Sequence, residues 1–170
     1  MINIRQETTE DTKSVYEVNL HAFGRKAEAE LVERLRGTAG FIPELSLVAE
    51  EDGKIRGHLL LTGVHIKTKD EEVPVLALAS LAVLPKAQKQ GIGTLLIGKG
   101  KELAKINGYN IIVASGHPEY YSKFGFIFAE EKGLFSKLNS GSEFMAAELS
   151  PDALDCVKGE AIYPEVFFAV

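Results

Sequence analysis

Two stretches of this chain hold residues whose types and spacing could do chemistry. The first is Gln88-Lys89-Gln90-Gly91-Ile92-Gly93-Thr94, which follows an apolar run (Val75–Leu84) and Pro85 and opens a periodic apolar segment. Glycines at the start of a helix let a ligand approach the backbone closely, and the first turn leaves amide N–H groups without intrahelical partners. Those amides and the positive end of the helix dipole favour an anion, most naturally a phosphate. The second stretch is Gly116-His117-Pro118-Glu119-Tyr120-Tyr121-Ser122-Lys123-Phe124-Gly125-Phe126. It places an imidazole, a carboxylate and two phenols where a strand gives way to a short helix, all groups able to give or take protons.

Other phosphate motifs fit the first stretch less well. A dinucleotide fingerprint needs a third glycine where Leu96 stands. Gly93–Lys99 matches the glycine and lysine of a P-loop, but Gly100 replaces the hydroxyl residue that reaches a metal. Its interior, Leu95-Leu96-Ile97, is also too apolar for a solvated phosphate cradle. The bland alternative is a glycine turn between strand and helix with no ligand.

These stretches need a frame. Ile2–Gln6 alternates as a first strand, and Thr8 or Thr9 can cap a helix with Val15, Val18 and Ala22 on one face. A second helix is expected from Arg25 to Arg36, with Ala27, Leu31 and Leu35 stacked. Leu45–Glu50 and Ile55–Lys67 form a hairpin around Asp52-Gly53, and a turn at Lys69–Glu72 leads into Val73–Leu84. A third helix covers Ile92–Ile106 and ends near Asn107-Gly108. Asn110–Ala114 reads as a central strand, followed by a short helix at Glu119–Phe124 and a strand from Phe126. Tail strands are expected at Phe144–Leu149 and Ile162–Phe168.

Length and charge narrow the class. The 170 residues, with 45% hydrophobic and 25% charged content, suit one soluble domain spanning 1–170. No apolar run reaches a membrane span, the N-terminus does not read as a signal peptide, and lone Cys156 fits a reducing compartment, so a cytoplasmic protein is expected. Cys156 has no adjacent histidine motif and reads as a buried or incidental thiol. Residues 1–116 hold 15 basic and 15 acidic residues; residues 117–170 hold four lysines against nine acids and carry the whole net charge of −5. Basic clustering is missing, so neither nucleic acid nor a membrane is an expected partner.

The order strand, turn, Gln-x-x-Gly-x-Gly, helix, together with Tyr121, three residues and Gly125-Phe126, resembles the GNAT superfamily of N-acetyltransferases over roughly residues 2–130. Segment 116–126 looks like its YhbS-like branch. The resemblance implies an α/β (α+β) GNAT fold: a mixed, mostly antiparallel central sheet flanked by helices and splayed between strands four and five. It implies acetyl-CoA as cosubstrate, no metal, an amine acceptor and direct attack on the thioester, and it leaves a homodimer open. Its pyrophosphate would lie on Gln88, Lys89, Gln90, Gly91, Ile92, Gly93 and Thr94, and its pantetheine along Leu81, Ala82 and Val83. The N–H of Leu81 or Ala82 would polarise the thioester carbonyl.

Tyr121 matches the tyrosine that commonly protonates the departing thiolate; Tyr120 is the weaker candidate. A phenol pKa of about 10 against about 8.5 for a thiol makes full proton transfer uphill by roughly 2 kcal/mol, so a strengthening hydrogen bond is the more realistic role. An α-amine is roughly 10–20% neutral at pH 7, but a primary alkyl amine only about 0.04% and in need of a base. His117 and Glu119 are the leading candidates for that base, with His58 and His65 behind them. Acids such as Glu119, Glu130, Glu131 and Glu143 would favour a cationic acceptor. A non-catalytic acyl-CoA-binding or sensing module is the alternative, and an interaction scaffold a third reading.

Overall fold

A computed structural model describes residues 1–138 and 143–168 of the chain. By its internal contacts the chain divides into two units. Among the described residues, one comprises 1–62 and 79–103; the other comprises 63–78, 104–138 and 143–168. Two long strands, β3 (Lys54–Lys67) and β4 (Glu72–Val83), run through both.

In the first unit β1 (Asn3–Gln6) pairs antiparallel with β2 (Ser46–Glu51), which pairs antiparallel with β3. The β2–β3 turn sits at Asp52 (φ 51°) and Gly53 (φ 75°). Two successive left-handed residues are what a tight hairpin matching strand twist requires. Helix α1 (Thr12–Phe23) is introduced by Asp11, whose carboxylate accepts from the Thr8 backbone N–H (2.7 Å) and from Arg5 (2.7 and 3.0 Å). Arg5 also donates to Glu50 at 2.8 Å, so one guanidinium joins β1, β2 and the start of α1. The Arg5 hydrogen bonds, ahead of the Thr8 backbone bond, hold Asp11 well below the usual carboxylate range, at about 2.

Helix α1 buries Val15, Val18 and Asn19, with Ala22 only half-buried. Helix α2 (Ala27–Leu35) buries Ala29, Val32 and Leu35, and of the expected Ala27/Leu31/Leu35 stack only Leu35 is fully inside. Neighbours at i+3 and i+4 are nearly equivalent on a helix surface, so packing against α1 decided between two stripes. Helix α3 (Ile92–Ile106) lies against β3 through glycines on both sides. A Cβ on Gly100 would come within 2.6 Å of Leu59 Cδ2, and one on Gly57 within 3.0 Å of Ile92 Cγ2. Gly98, in the same helix, has open space around it.

In the second unit β4 pairs parallel with β5 (Ile111–Ser115) at Leu76↔Ile112 and Ala77↔Val113. β8 (Phe144–Glu148) lies antiparallel to β5 on its other side and pairs next with β6 (Ile127–Phe128). β5 is central, and Ile111 to Ala114 are all buried, as the continuous apolar run demands. Helix α4 (Pro118–Tyr121) continues as a 3₁₀ turn to Phe124, which Gly125 closes at φ 86°.

The tail departs from expectation. β7 (Leu134–Ser136) pairs parallel with β9 (Gly159–Ile162), and β9 also pairs with β3 at His65↔Ile162. The expected strand over Ile162–Phe168 ends as it begins. Pro164 has no N–H for a ladder, and Glu165–Phe168 form a 3₁₀ turn. Cys156 is exposed, which leaves the incidental one of its two expected readings. Among the described residues no helix is long and apolar enough to cross a membrane.

Candidate functional site

The expected site residues fall into two groups, one in each unit. In the first unit, β4 ends at Val83 and a 3₁₀ turn at Pro85–Ala87 leads to Gln88. The loop then needs left-handed backbone at Lys89 (φ 63°) and Gly91 (φ 84°). Two glutamine side chains brace it: Gln88 Nε2 donates to the Val83 carbonyl (3.1 Å) and Gln90 Nε2 to the Lys86 carbonyl (3.3 Å). The first backbone bond of the helical ladder is Leu95 N–H to Gly91 O, at 3.0 Å. Before it, the amide N–H groups of Lys89, Gln90, Gly91, Ile92, Gly93 and Thr94 have no acceptor among the described residues. Six successive donors at the positive end of a fifteen-residue helix can hold an anion.

The strand feeding this loop presents a second set of backbone groups. The β4–β5 ladder is limited to the pairs at Leu76 and Ala77, so from Ala79 onward the edge of β4 turned from β3 has no strand partner among the described residues. Leu84 N–H bonds Arg56 O on β3, and the Ala82 carbonyl lies 3.1 Å from where a Gly57 Cβ would be. By alternation, the N–H and C=O of Leu81 and Val83 point to the open edge and those of Ala82 point to β3.

A cavity of about 420 Å³ borders the loop at Lys86 and Gln90 and is also lined by His21, Glu51, Arg56 and the Leu84–Pro85 segment. Arg56 and Lys86 have no side-chain ion pair or hydrogen bond among the described residues. Sequence reasoning passed over Arg56, because only the register of the β2–β3 hairpin brings it beside a loop thirty residues away.

In the second unit His117 caps α4 and Glu119 sits in its first turn, both exposed and without a side-chain partner among the described residues. The Tyr120 and Tyr121 N–H groups close the helix onto the His117 carbonyl at 3.0 and 3.2 Å. The two tyrosines diverge, since adjacent helical residues point about 100° apart. Tyr121 is 8% exposed and its ring meets Phe126 edge-on at 5.4 Å; Tyr120 is 37% exposed. Burial, and next the neighbouring Tyr120, push the Tyr121 phenol well above its ordinary range. Its hydroxyl is therefore a neutral donor, and it has no hydrogen-bond partner among the described residues. Tyr163 shares both properties.

Of the two secondary base candidates, the structure removes one from solvent and leaves the other partly exposed. His58 is fully buried and held between Asn19 and Ser46. Burial, and next Arg36, lower its pKa to about 3, so the ring is neutral although Glu7 Oε2 lies 3.5 Å from Nε2. His65 faces Glu72 across the β3–β4 hairpin at 3.7 Å.

Comparison with known proteins agrees with this geometry. A family profile described as "Acetyltransferase (GNAT) domain" matches residues 3–129. The N-acetyltransferase YhbS of Escherichia coli, itself uncharacterized, is 33% identical over 166 residues, covering 96% of this chain and 97% of YhbS. YjhQ of the same organism, also an uncharacterized N-acetyltransferase, is 37% identical over 116 residues, 68% of this chain; the match spans 64% of YjhQ. Among solved structures, E. coli YhbS in complex with CoA superposes with a TM-score of 0.91 at 31% identity, covering 98% of this chain and 92% of that one. A GNAT family acetyltransferase from Brucella melitensis in complex with acetyl-CoA gives 0.79 at 29% identity, covering 98% of both.

Proposed function

The chain belongs to the GNAT acetyltransferase family, and from that premise we propose that it binds acetyl-CoA and transfers the acetyl group to an amine of a small molecule or peptide by direct attack. The observation that carries this reading is the run of six amides from Lys89 to Thr94, at the start of α3, that have no acceptor among the described residues. A pyrophosphate supplies the acceptor oxygens those donors lack. Related structures that hold CoA and acetyl-CoA support the same ligand here.

The remaining roles follow from the chemistry of the residues. The open edge at Leu81 and Val83 receives the pantetheine amides as an added strand, and the Leu81 N–H polarises the thioester carbonyl. The alternation of β4 favours Leu81 over Ala82 for this task. As the amine attacks and the C–S bond breaks, the Tyr121 hydroxyl donates a hydrogen bond to the departing thiolate. His117 and Glu119 can take the proton of the acceptor ammonium, and a protein without a base would be confined to α-amines. The exposed acids Glu119, Glu130, Glu131 and Glu143 favour a cationic acceptor.

The test is thiol release from acetyl-CoA with a panel of α-amino esters, alkyl diamines, peptides and aminoglycosides, run beside calorimetric titration with CoA. Binding together with amine-dependent thiol release is expected. Binding without release by any amine would leave an acyl-CoA-binding module, and an absence of binding would remove the reading.

A further inference from the structure

A chain of polar side chains runs through the interior of the first unit, and one residue in it sets the direction of every bond. Asn19 Nδ2 lies 3.0 Å from the Val15 carbonyl, which can only accept, so that end of the amide is the nitrogen. The second hydrogen of Nδ2 faces His58 Nδ1 at 3.3 Å, so Nδ1 is the bare nitrogen of a neutral ring and Nε2 carries the proton. Nε2–H donates to Ser46 Oγ at 3.2 Å, and Ser46 Oγ donates to Glu7 Oε2 at 3.3 Å. Arg36 holds the Glu7 carboxylate through Nε at 2.9 Å and Nη2 at 3.0 Å. At the opposite end Ser80 Oγ donates to the only acceptor Asn19 has left, Oδ1. The bonds all point from Ser80 toward Glu7.

Ser80 has therefore committed its only proton. Its oxygen is left with acceptor capacity alone, and no described residue donates to it, although Ser80 is just 7% exposed. The bond to Asn19 satisfies the hydroxyl as a donor, and its lone pairs can still accept from an incoming N–H. Ser80 stands on β4 immediately before Leu81, on the strand face that meets α1 at Asn19. We propose that Ser80 Oγ accepts a hydrogen bond from the attacking amine of the acceptor and is a positioning residue for it. This assignment rests on the acetyl-transfer reading.

The chemistry suits an acceptor oxygen. The amine's lone pair must point at the carbonyl carbon, so its N–H bonds are free to be held from another side. As the new C–N bond forms the nitrogen gains positive charge, and an N–H to Ser80 strengthens on the way to the transition state. Ser80 does not take the proton, because its oxygen is already protonated and the Asn19 amide cannot pass a proton onward. The chain from Arg36 and Glu7 keeps the hydroxyl turned the right way.

The experiment compares wild type with Ser80→Ala, Ser80→Cys and Ser80→Thr in the full chain, using the amine of the panel that gives wild type its fastest thiol release. Loss of one such hydrogen bond predicts about a tenfold drop in kcat/KM for the amine in Ser80→Ala and Ser80→Cys. KM for acetyl-CoA and calorimetric affinity for CoA should stay within about twofold, and Ser80→Thr should recover most of the activity. A purely structural role would move CoA affinity and thermal midpoint together with turnover. Ser80→Cys, close to serine in size, keeps the test decisive if the alanine variant folds poorly. Unchanged amine kcat/KM in an active series, or a loss confined to acetyl-CoA, overturns the assignment of Ser80 alone. Wild type that releases thiol with no amine overturns the transfer reading, and this assignment with it.

Discussion

The ring of Tyr121 occupies the space that a side chain on Gly116 would need: a Cβ built there would lie 2.8 Å from Tyr121 Cε2. Gly116 also has φ 151°, a conformation that L side chains rarely adopt. The last turn before α4 thus seats the phenol, and the two residues should fail together. Tyr121→Phe is expected to lower kcat by about 10²-fold with CoA affinity nearly unchanged, since only the donor to the thiolate is lost. Gly116→Ala should lower kcat as well by displacing the ring, and Tyr120→Phe should be mild. Steady-state kinetics with the wild type's best amine decides; a reversal of the two tyrosines would pass the role to Tyr120.

Gly91→Glu places a carboxylate among the six open amides. CoA affinity measured by calorimetry should fall at least tenfold, about 1.4 kcal/mol. Because φ is 84° at this position, Gly91→Ala serves as the control for backbone strain. The glutamate variant must bind more weakly than the alanine one if charge, and not conformation, is what the loop rejects.

Two glycines of α3 should answer oppositely to the same substitution. Gly98 has open space, so Gly98→Ala should stabilise by about 0.5–1 kcal/mol through helix propensity. In Gly100→Ala the new methyl meets Leu59 Cδ2 at 2.6 Å, and the displaced leucine should make that variant less stable than wild type. Urea unfolding of the two variants is sufficient, and equal shifts would contradict the close approach of α3 to β3.

His58 predicts a pH dependence of stability. Its folded-state pKa is depressed to about 3 from an ordinary 6.5, so the unfolded chain takes up the proton first. The contribution is fully present above pH 6.5 and is lost as pH falls toward 3, with a slope of at most about 1.4 kcal/mol per pH unit. Glu7 and Arg36 are the charged groups facing the imidazole chain. Asp11, at about 2 against 3.8, adds a loss of the same sign, about half as large, only below pH 3.8. Denaturant unfolding between pH 7 and pH 4.5 should show wild type weakening, and His58→Gln, less stable at pH 7, should show a flatter profile. Parallel profiles would mean that His58 is not the group responsible.

Features that depend on neighbours in the chain were legible in the sequence. The bounds of α3, the Asp52-Gly53 turn and the loop Gln88–Thr94 follow from glycine conformations, helix ends and apolar runs, all local physics. The tail is less legible, because β7 and β9 are short and draw their order from partners far away, and Pro164 outweighs the apolar content of Phe167 and Phe168. Which stripe of α2 turns inward, that Leu81 rather than Ala82 faces the open edge, and that Arg56 lies beside the loop were decided by packing and strand register. His58 shows the difference most plainly. As a residue type it was a candidate base, but burial between α1 and β2 with Asn19 and Ser46 leaves it neutral and turns it into part of what orients Ser80. Residue type and spacing carry local preference, whereas desolvation and hydrogen-bond direction are properties of atoms brought together from Glu7, Asn19, Ser46, His58 and Ser80, and only the folded chain brings them together.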